Sequence, residues 1–148
     1  AAAEPAELEA VIRPTGLYRN KARSLVAMAA EVDGDHGGRV PRSMEELVRL
    51  PGVGPKTAKV VLGVALGIPA GVAVDTHTRR VARRLGLSVA GDAEKVAADL
   101  EALLPPDAWI EVSLRMVLHG RRVCTSRAPR CVSCGLCPVC DRVGLEEL

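Results

Sequence analysis

Two patterns in this chain have the residue types and spacing for chemistry: a lysine beside a glycine-rich turn, and five cysteines near the C-terminal end. The lysine is Lys56, within "LPGVGPKTAKVV", residues 50–61. Gly52 and Gly54 predict a tight turn, and Pro55 suits the first position of a helix, so Lys56 falls in that helix's first turn. The macrodipole is positive there and favours anions, which makes a cation costly unless it is used. Two uses are open. The ammonium can pair with a phosphate, which offsets the penalty. Alternatively the positive helix end, with Lys59 one turn on, disfavours the ammonium and leaves a neutral amine, which is a nucleophile.

A carboxylate stands out for the opposite reason. From Leu47 to Gly91 the only acid is Asp75, against Arg49, Lys56, Lys59, Arg79, Arg80, Arg83 and Arg84. From Val112 to Cys140 there is none, against Arg115, Arg121, Arg122, Arg127 and Arg130. The net charge is only +2, so two acid-poor basic tracts in a nearly neutral chain point to a side that faces a polyanion. Ordinary solvated helix faces are the alternative. Arg79, Arg80, Arg83 and Arg84 are expected on one helix face, with Val81 and Leu85 turned away, either tracking a phosphate backbone or simply in water. Asp75 also suits the N-cap of the helix that follows it. His77, at a helix start, is read as structural.

The cysteines are Cys124, Cys131, Cys134, Cys137 and Cys140. Disulfides fit poorly with an odd number and no secretory signal. Zinc fits poorly too: Cys131/Cys134 and Cys137/Cys140 resemble two knuckles, but only two residues separate them. Cys131, Cys134, Cys137 and Cys140 together resemble part of a ferredoxin run.

The elements that must position these groups are helical. The apolar residues are mostly Ala, Val and Leu, with one Trp, one Tyr and no Phe, which suits closely packed helices, and alternating β-branched runs are absent. Helices are predicted over Pro5–Arg13, over Leu17–Val32 with a stop at "DGDHGG", and from the Ser43/Glu46 capping box to about Leu50. Further helices are predicted from Pro55 to Leu66, from a cap at Asp75 or Thr76 to Gly86, from Asp92 to about Leu104, and from Pro106 to near Gly120. No apolar stretch is long enough to span a bilayer and no signal peptide is evident, so a soluble intracellular protein is expected.

Helix, "LPGVG" turn, helix is the helix-hairpin-helix pattern. Its glycines let backbone approach backbone, and amides around the turn and the next helix's first turn are expected to be free for a phosphate oxygen. Such a contact positions a protein on a duplex without reading sequence.

The stretch "LPGVGPKTAKVVLGVALGIPAGVAVDTHTRRVARRLGL" resembles the core of the endonuclease III family of base-excision DNA glycosylases, and "GLYRNKA" before it and "LHGRRVC" after it match in order and spacing. The resemblance implies an all-α, helix-hairpin-helix glycosylase fold with a C-terminal iron–sulfur loop. It divides the chain into residues 1–105, a partial six-helix bundle with its hairpin near 43–66, and residues 106–148, the cluster domain. It implies Lys56 as the nucleophile and Asp75 as its assistant. DNA contacts are expected from Gly52, Val53, Gly54, Lys59, Arg80, Arg127 and Arg130. It makes Cys124, Cys131, Cys134 and Cys140, spaced C-x6-C-x2-C-x5-C, the ligands of a [4Fe–4S] cluster, leaving Cys137 as a free thiol or an occasional substitute ligand. A further basic residue often found in the family stands as Ala128 here.

The implied activity is base excision with β-elimination at abasic sites, on oxidised pyrimidines in double-stranded DNA, by a cytoplasmic, nucleoid-associated monomer with no membrane attachment. An adenine-type mismatch glycosylase is the first alternative, although that branch lacks the hairpin lysine. A non-catalytic DNA-binding iron–sulfur fragment is the second. In the family several helices and a gap-filling polar residue precede "GLYRNKA", where only residues 1–15 stand here. The chain is therefore expected to be N-terminally incomplete, with no side chain assigned as the wedge for nucleotide flipping.

Overall fold

A computed structural model describes residues 3–145, and among them every regular element is helical. Helix α1, Pro5–Ile12, starts with proline in its first turn and tightens into a 3-10 turn, Arg13–Thr15, that ends at Gly16. Helix α2 spans Tyr18–His36, so Asp33–His36 stay helical where the sequence predicted a stop. The terminator is instead Gly37, left-handed at φ 58°, which lets its own N–H and that of Gly38 reach the Val32 carbonyl. Ser43 caps α3, Met44–Leu47, by accepting from the Glu46 N–H, and its hydroxyl donates to Glu46 Oε2 at 2.8 Å. That helix is shorter than predicted. Arg49 and Leu50 bond three residues back, to Glu46 and Leu47, and Pro51 then disfavours further helix.

Helix α4, Pro55–Val60, runs on as a π-helical turn, Val61–Ala65. It closes at left-handed Gly67, with the Ile68 N–H on the Leu62 carbonyl. Gly63 in this turn is buried, and a Cβ there would lie 3.0 Å from Ile110 Cγ1. Three more helices follow: α5, Thr76–Arg84; α6, Ala93–Leu103; and α7, Trp109–Arg122. Asp75 caps α5, Asp92 caps α6, and a 3-10 turn, Pro106–Ala108, leads into α7.

The chain divides into two compact units, Ala1–Ala58 and Lys59–Leu148. In the first, α1 packs on α2, and Ala22, Leu47, Leu50 and Ala58 are buried. In the second, α5 packs on α7 and α6, and Val72, Val74, Val81, Ala82, Val96, Ala97, Leu100 and Met116 form the core. Small side chains suit this close crossing. A Cβ on Gly120 of α7 would stand 2.8 Å from that of His77 on α5, too close for any larger residue without a shift. Among the described residues no helix is long and apolar enough to cross a membrane.

Candidate functional site

The hairpin turn needs its first glycine twice over. Gly52 has φ 78°, and a Cβ there would lie 2.7 Å from Ser24 Cβ on α2. Gly54 meets neither condition, since it has no positive φ and nothing lies within 4 Å of where its Cβ would be. That openness leaves room for an outside group to approach. The expectation of free amides holds unevenly around the turn. The Val53 N–H is consumed inside it, donating to the Leu50 carbonyl at 3.0 Å. No acceptor among the described residues takes the Gly54 N–H, and the first-turn amides of Lys56 and Thr57 lie where a helix supplies none. Lys56 is exposed, and its ammonium makes no ion pair or hydrogen bond among the described residues.

Lys59 corrects the sequence reading. Its ammonium does not face solvent as a DNA contact; it bonds Glu101 Oε1 at 2.8 Å and the Val72 carbonyl at 3.4 Å. Glu101 Oε1 also accepts the Val72 N–H at 2.7 Å, and Ser113 Oγ accepts the Ala73 N–H at 3.1 Å. The Val72 and Ala73 amides of this buried segment are thus taken by side chains of α6 and α7, since among the described residues no strand lies beside it to do so. Gly71, at φ 113°, starts this segment where a Cβ would collide with Glu101 and Lys59.

Asp75 follows directly. Its Oδ1 accepts the N–H groups of His77 and Thr78, each at 2.8 Å, so the cap is Asp75 and not Thr76. Both bonds fix the carboxylate at the positive end of α5, where a negative charge is favoured. The Nδ1 of His77 lies 3.0 Å from the Arg80 guanidinium.

The α5 arginines do not share one fate. Arg79 and Arg83 are exposed, and Arg79 donates to the Gly91 carbonyl. Arg80 was expected on DNA, but it donates to the carbonyls of Cys124, at 3.0 Å, and Gly120, at 2.7 Å. Arg84, only 7% exposed, donates to the carbonyls of Thr125 and Ser126 and to Cys124 Sγ at 3.3 Å. The carbonyls that close α7 and open the next loop lack amide partners, and a guanidinium satisfies several at once. Residues 80 and 84, one turn apart, therefore bind α5 to the cysteine segment.

That segment is a succession of tight turns. The N–H groups of Cys134, Cys137 and Cys140 donate to the carbonyls of Cys131, Cys134 and Cys137 respectively, the last pair spanning a 3-10 turn, Cys137–Val139. Upstream, the Arg130 N–H donates to the Val123 carbonyl and Thr125 Oγ1 to the Ala128 carbonyl. Arg127 and Arg130 stand exposed on this closed loop. All five cysteines line one hollow together with Arg84, His119 and Leu145. None is in a disulfide. Arg142 donates to Cys137 Sγ at 3.0 Å, Cys140 Sγ lies 3.2 Å from the Arg84 carbonyl, and Cys134 Sγ is 3.7 Å from His119 Nε2. Burial holds His119 below the usual imidazole range, favouring its neutral form.

The donor set suits a thiolate-held cluster. Among the described residues no three His, Cys, Asp or Glu side chains converge as a ready site for one metal ion. Five cysteines around one hollow are nonetheless donors of the kind that hold an iron–sulfur cluster.

One exposed residue escaped the sequence reading. Leu17, the N-cap of α2, is 80% exposed with φ 50°, a conformation that strains any residue but glycine. The only hint in the sequence is a large apolar residue directly after Gly16.

Comparison with known proteins agrees with this architecture. The family model described as HhH-GPD superfamily base excision DNA repair protein matches residues 1–106. The endonuclease III of Synechocystis sp. is 45% identical over 134 residues, covering 90% of this chain and 61% of the relative. That of Bacillus subtilis is 44% identical over 148 residues, covering 95% and 67%. A solved structure of a trapped endonuclease III–DNA covalent intermediate superimposes with a TM-score of 0.88 at 43% identity, covering 95% of this chain and 66% of that one. A thermostable thymine-DNA glycosylase matches at 0.82 and 28% identity. The chain belongs to the HhH-GPD superfamily of base excision DNA repair proteins and, within it, to the endonuclease III family. It spans 61% and 67% of the length of the two relatives.

Proposed function

We propose that this chain carries the reacting and cluster-binding parts of a DNA glycosylase with abasic-site lyase activity, acting as a monomer on oxidised pyrimidines in double-stranded DNA of a cytoplasmic nucleoid. The observation that carries this reading is Lys56, an exposed lysine without a partner among the described residues, directly after the hairpin of a chain in the endonuclease III family. A related endonuclease III has been trapped in a covalent intermediate with DNA, which supports an attacking side chain.

In the proposed reaction the neutral amine of Lys56 attacks C1′ of the damaged nucleotide. The N-glycosidic bond breaks, and the base departs with the bonding pair and takes up a proton. The Asp75 carboxylate stabilises the positive charge that develops at C1′. Sugar-ring opening leaves a Schiff base on Lys56. Loss of a C2′ proton then expels the 3′ phosphate by β-elimination. The Gly54 amide and the first-turn amides of α4 hold a backbone phosphate, while Arg127 and Arg130 hold another stretch of strand. Leu17 supplies an apolar side chain for insertion beside the extruded nucleotide.

Cys124, Cys131, Cys134 and Cys140 hold a [4Fe–4S] cluster in residues 106–148. When bound, it supplies a rigid cross-link for the Arg127/Arg130 loop and no electron transfer, which base excision does not require. The test is borohydride reduction of the chain on duplexes with one thymine glycol or one abasic site. A covalent adduct is expected with the parent and none with Lys56→Gln; an equal yield from the variant would overturn the reading.

A further inference from the structure

Five thiols line a hollow in which a cluster takes four. The assignment of Cys124, Cys131, Cys134 and Cys140 leaves Cys137 over, yet Cys137 lines the same hollow as they do. We propose that the fourth ligand position is shared by Cys137 and Cys140, either of which can close the site. The proposal rests on the cluster reading above and deepens it.

The geometry is that of one short turn. Cys137 begins the 3-10 turn Cys137–Val139, and the Cys140 N–H returns to the Cys137 carbonyl at 3.4 Å. The turn sets the two cysteines three residues apart, with Cys140 as its extended C-cap, and both line the hollow. Pro138 stiffens the turn, so a small rotation of the whole unit exchanges the leading sulfur. Each sulfur also has a partner within the protein. Cys137 Sγ accepts from Arg142 at 3.0 Å, and Cys140 Sγ lies 3.2 Å from the Arg84 carbonyl. The exchange makes one Fe–S bond and breaks another. The entering thiol gives up a proton and the departing thiolate takes one, so charge and oxidation state are unchanged.

The experiment compares Cys137→Ser, Cys140→Ser and the double variant in the whole chain, reading iron, acid-labile sulfide and visible charge-transfer absorption, with far-ultraviolet circular dichroism as the fold control. Each single variant is expected to keep most of the parent's iron, and the double variant to fall by at least about tenfold. A helical Cys140→Ser chain without iron would overturn the proposal while leaving the cluster reading intact. A parent without iron or sulfide would remove both. A second measurement needs no variant: iodoacetamide labelling of the native iron-loaded chain, mapped by peptide mass spectrometry. Label divided between Cys137 and Cys140, with Cys124, Cys131 and Cys134 protected, is expected. Label confined to one of the two means fixed ligation and sinks the proposal.

Discussion

In the proposed reaction Asp75 meets two demands with one carboxylate, and the two separate by substitution. As a cap it offers an oxygen that accepts from His77 and Thr78, and asparagine caps about as well as aspartate. As a stabiliser of a developing cation it needs its charge. Asp75→Asn is therefore expected to keep stability within about 0.5 kcal/mol in urea unfolding while base release from thymine-glycol duplex slows about 100-fold or more. Near-parental release would reduce Asp75 to a cap. Lys59 and Arg127 form a similar contrast. Lys59→Met breaks the bond to Glu101 and is expected to cost about 1–3 kcal/mol of stability, leaving the salt dependence of DNA binding unchanged. Arg127→Ala is expected to leave stability alone and lower that salt slope by about one. Fluorescence anisotropy across a salt series, with an unfolding curve for each variant, separates the two.

Helix α5 joins Asp75 at its start to the cysteine segment at its side, and Arg84 is the main fastening. Its guanidinium satisfies two carbonyls and approaches one sulfur. Arg84→Met keeps most of the packing volume but strips those acceptors, with an expected loss of about 2–3 kcal/mol in chemical unfolding. A loss below the error of the curve would mean water replaces the guanidinium. The same helix holds an opposite case. Thr78 Oγ1 is buried with no hydrogen-bond partner among the described residues, so Thr78→Val exchanges an unsatisfied hydroxyl for a methyl and is expected to stabilise by about 1 kcal/mol. A lower melting midpoint in calorimetry would contradict it.

Over the whole molecule, the cysteine segment has few buried apolar side chains to hold it. Cys124 packs at the edge of the core and Leu145 is buried, while Val132 and Val139 are exposed. Its order rests on tight turns and the two arginines and, in the proposed reading, on the cluster. Removing iron with a chelator under mild oxidation is expected to raise amide hydrogen exchange sharply across residues 124–145 while the α1–α2 pair stays protected. Uniform loss of protection throughout the chain would show that the cluster sustains the entire fold and not one segment.

Local chemistry made much of this protein legible from its sequence. Ser43, Asp75 and Asp92 cap helices because a short acceptor just before an apolar run can satisfy a first-turn amide without help from afar. The hairpin glycine, the lysine behind it and the cysteine spacing are likewise local, and they carried the family resemblance. Partner choice by long charged side chains was not legible. Lys59 and Arg80 read as cations for a polyanion, and Arg84 as either that or solvated, but each found acceptors some 40 residues away, carbonyls or a carboxylate that come within reach only when the helices pack. Helix periodicity places such side chains on a face, and the tertiary structure alone decides whether that face meets water or backbone oxygens. The strained Leu17 and the convergence of a fifth sulfur belong to the same class. Both depend on where the chain turns in space, which short-range propensity does not encode.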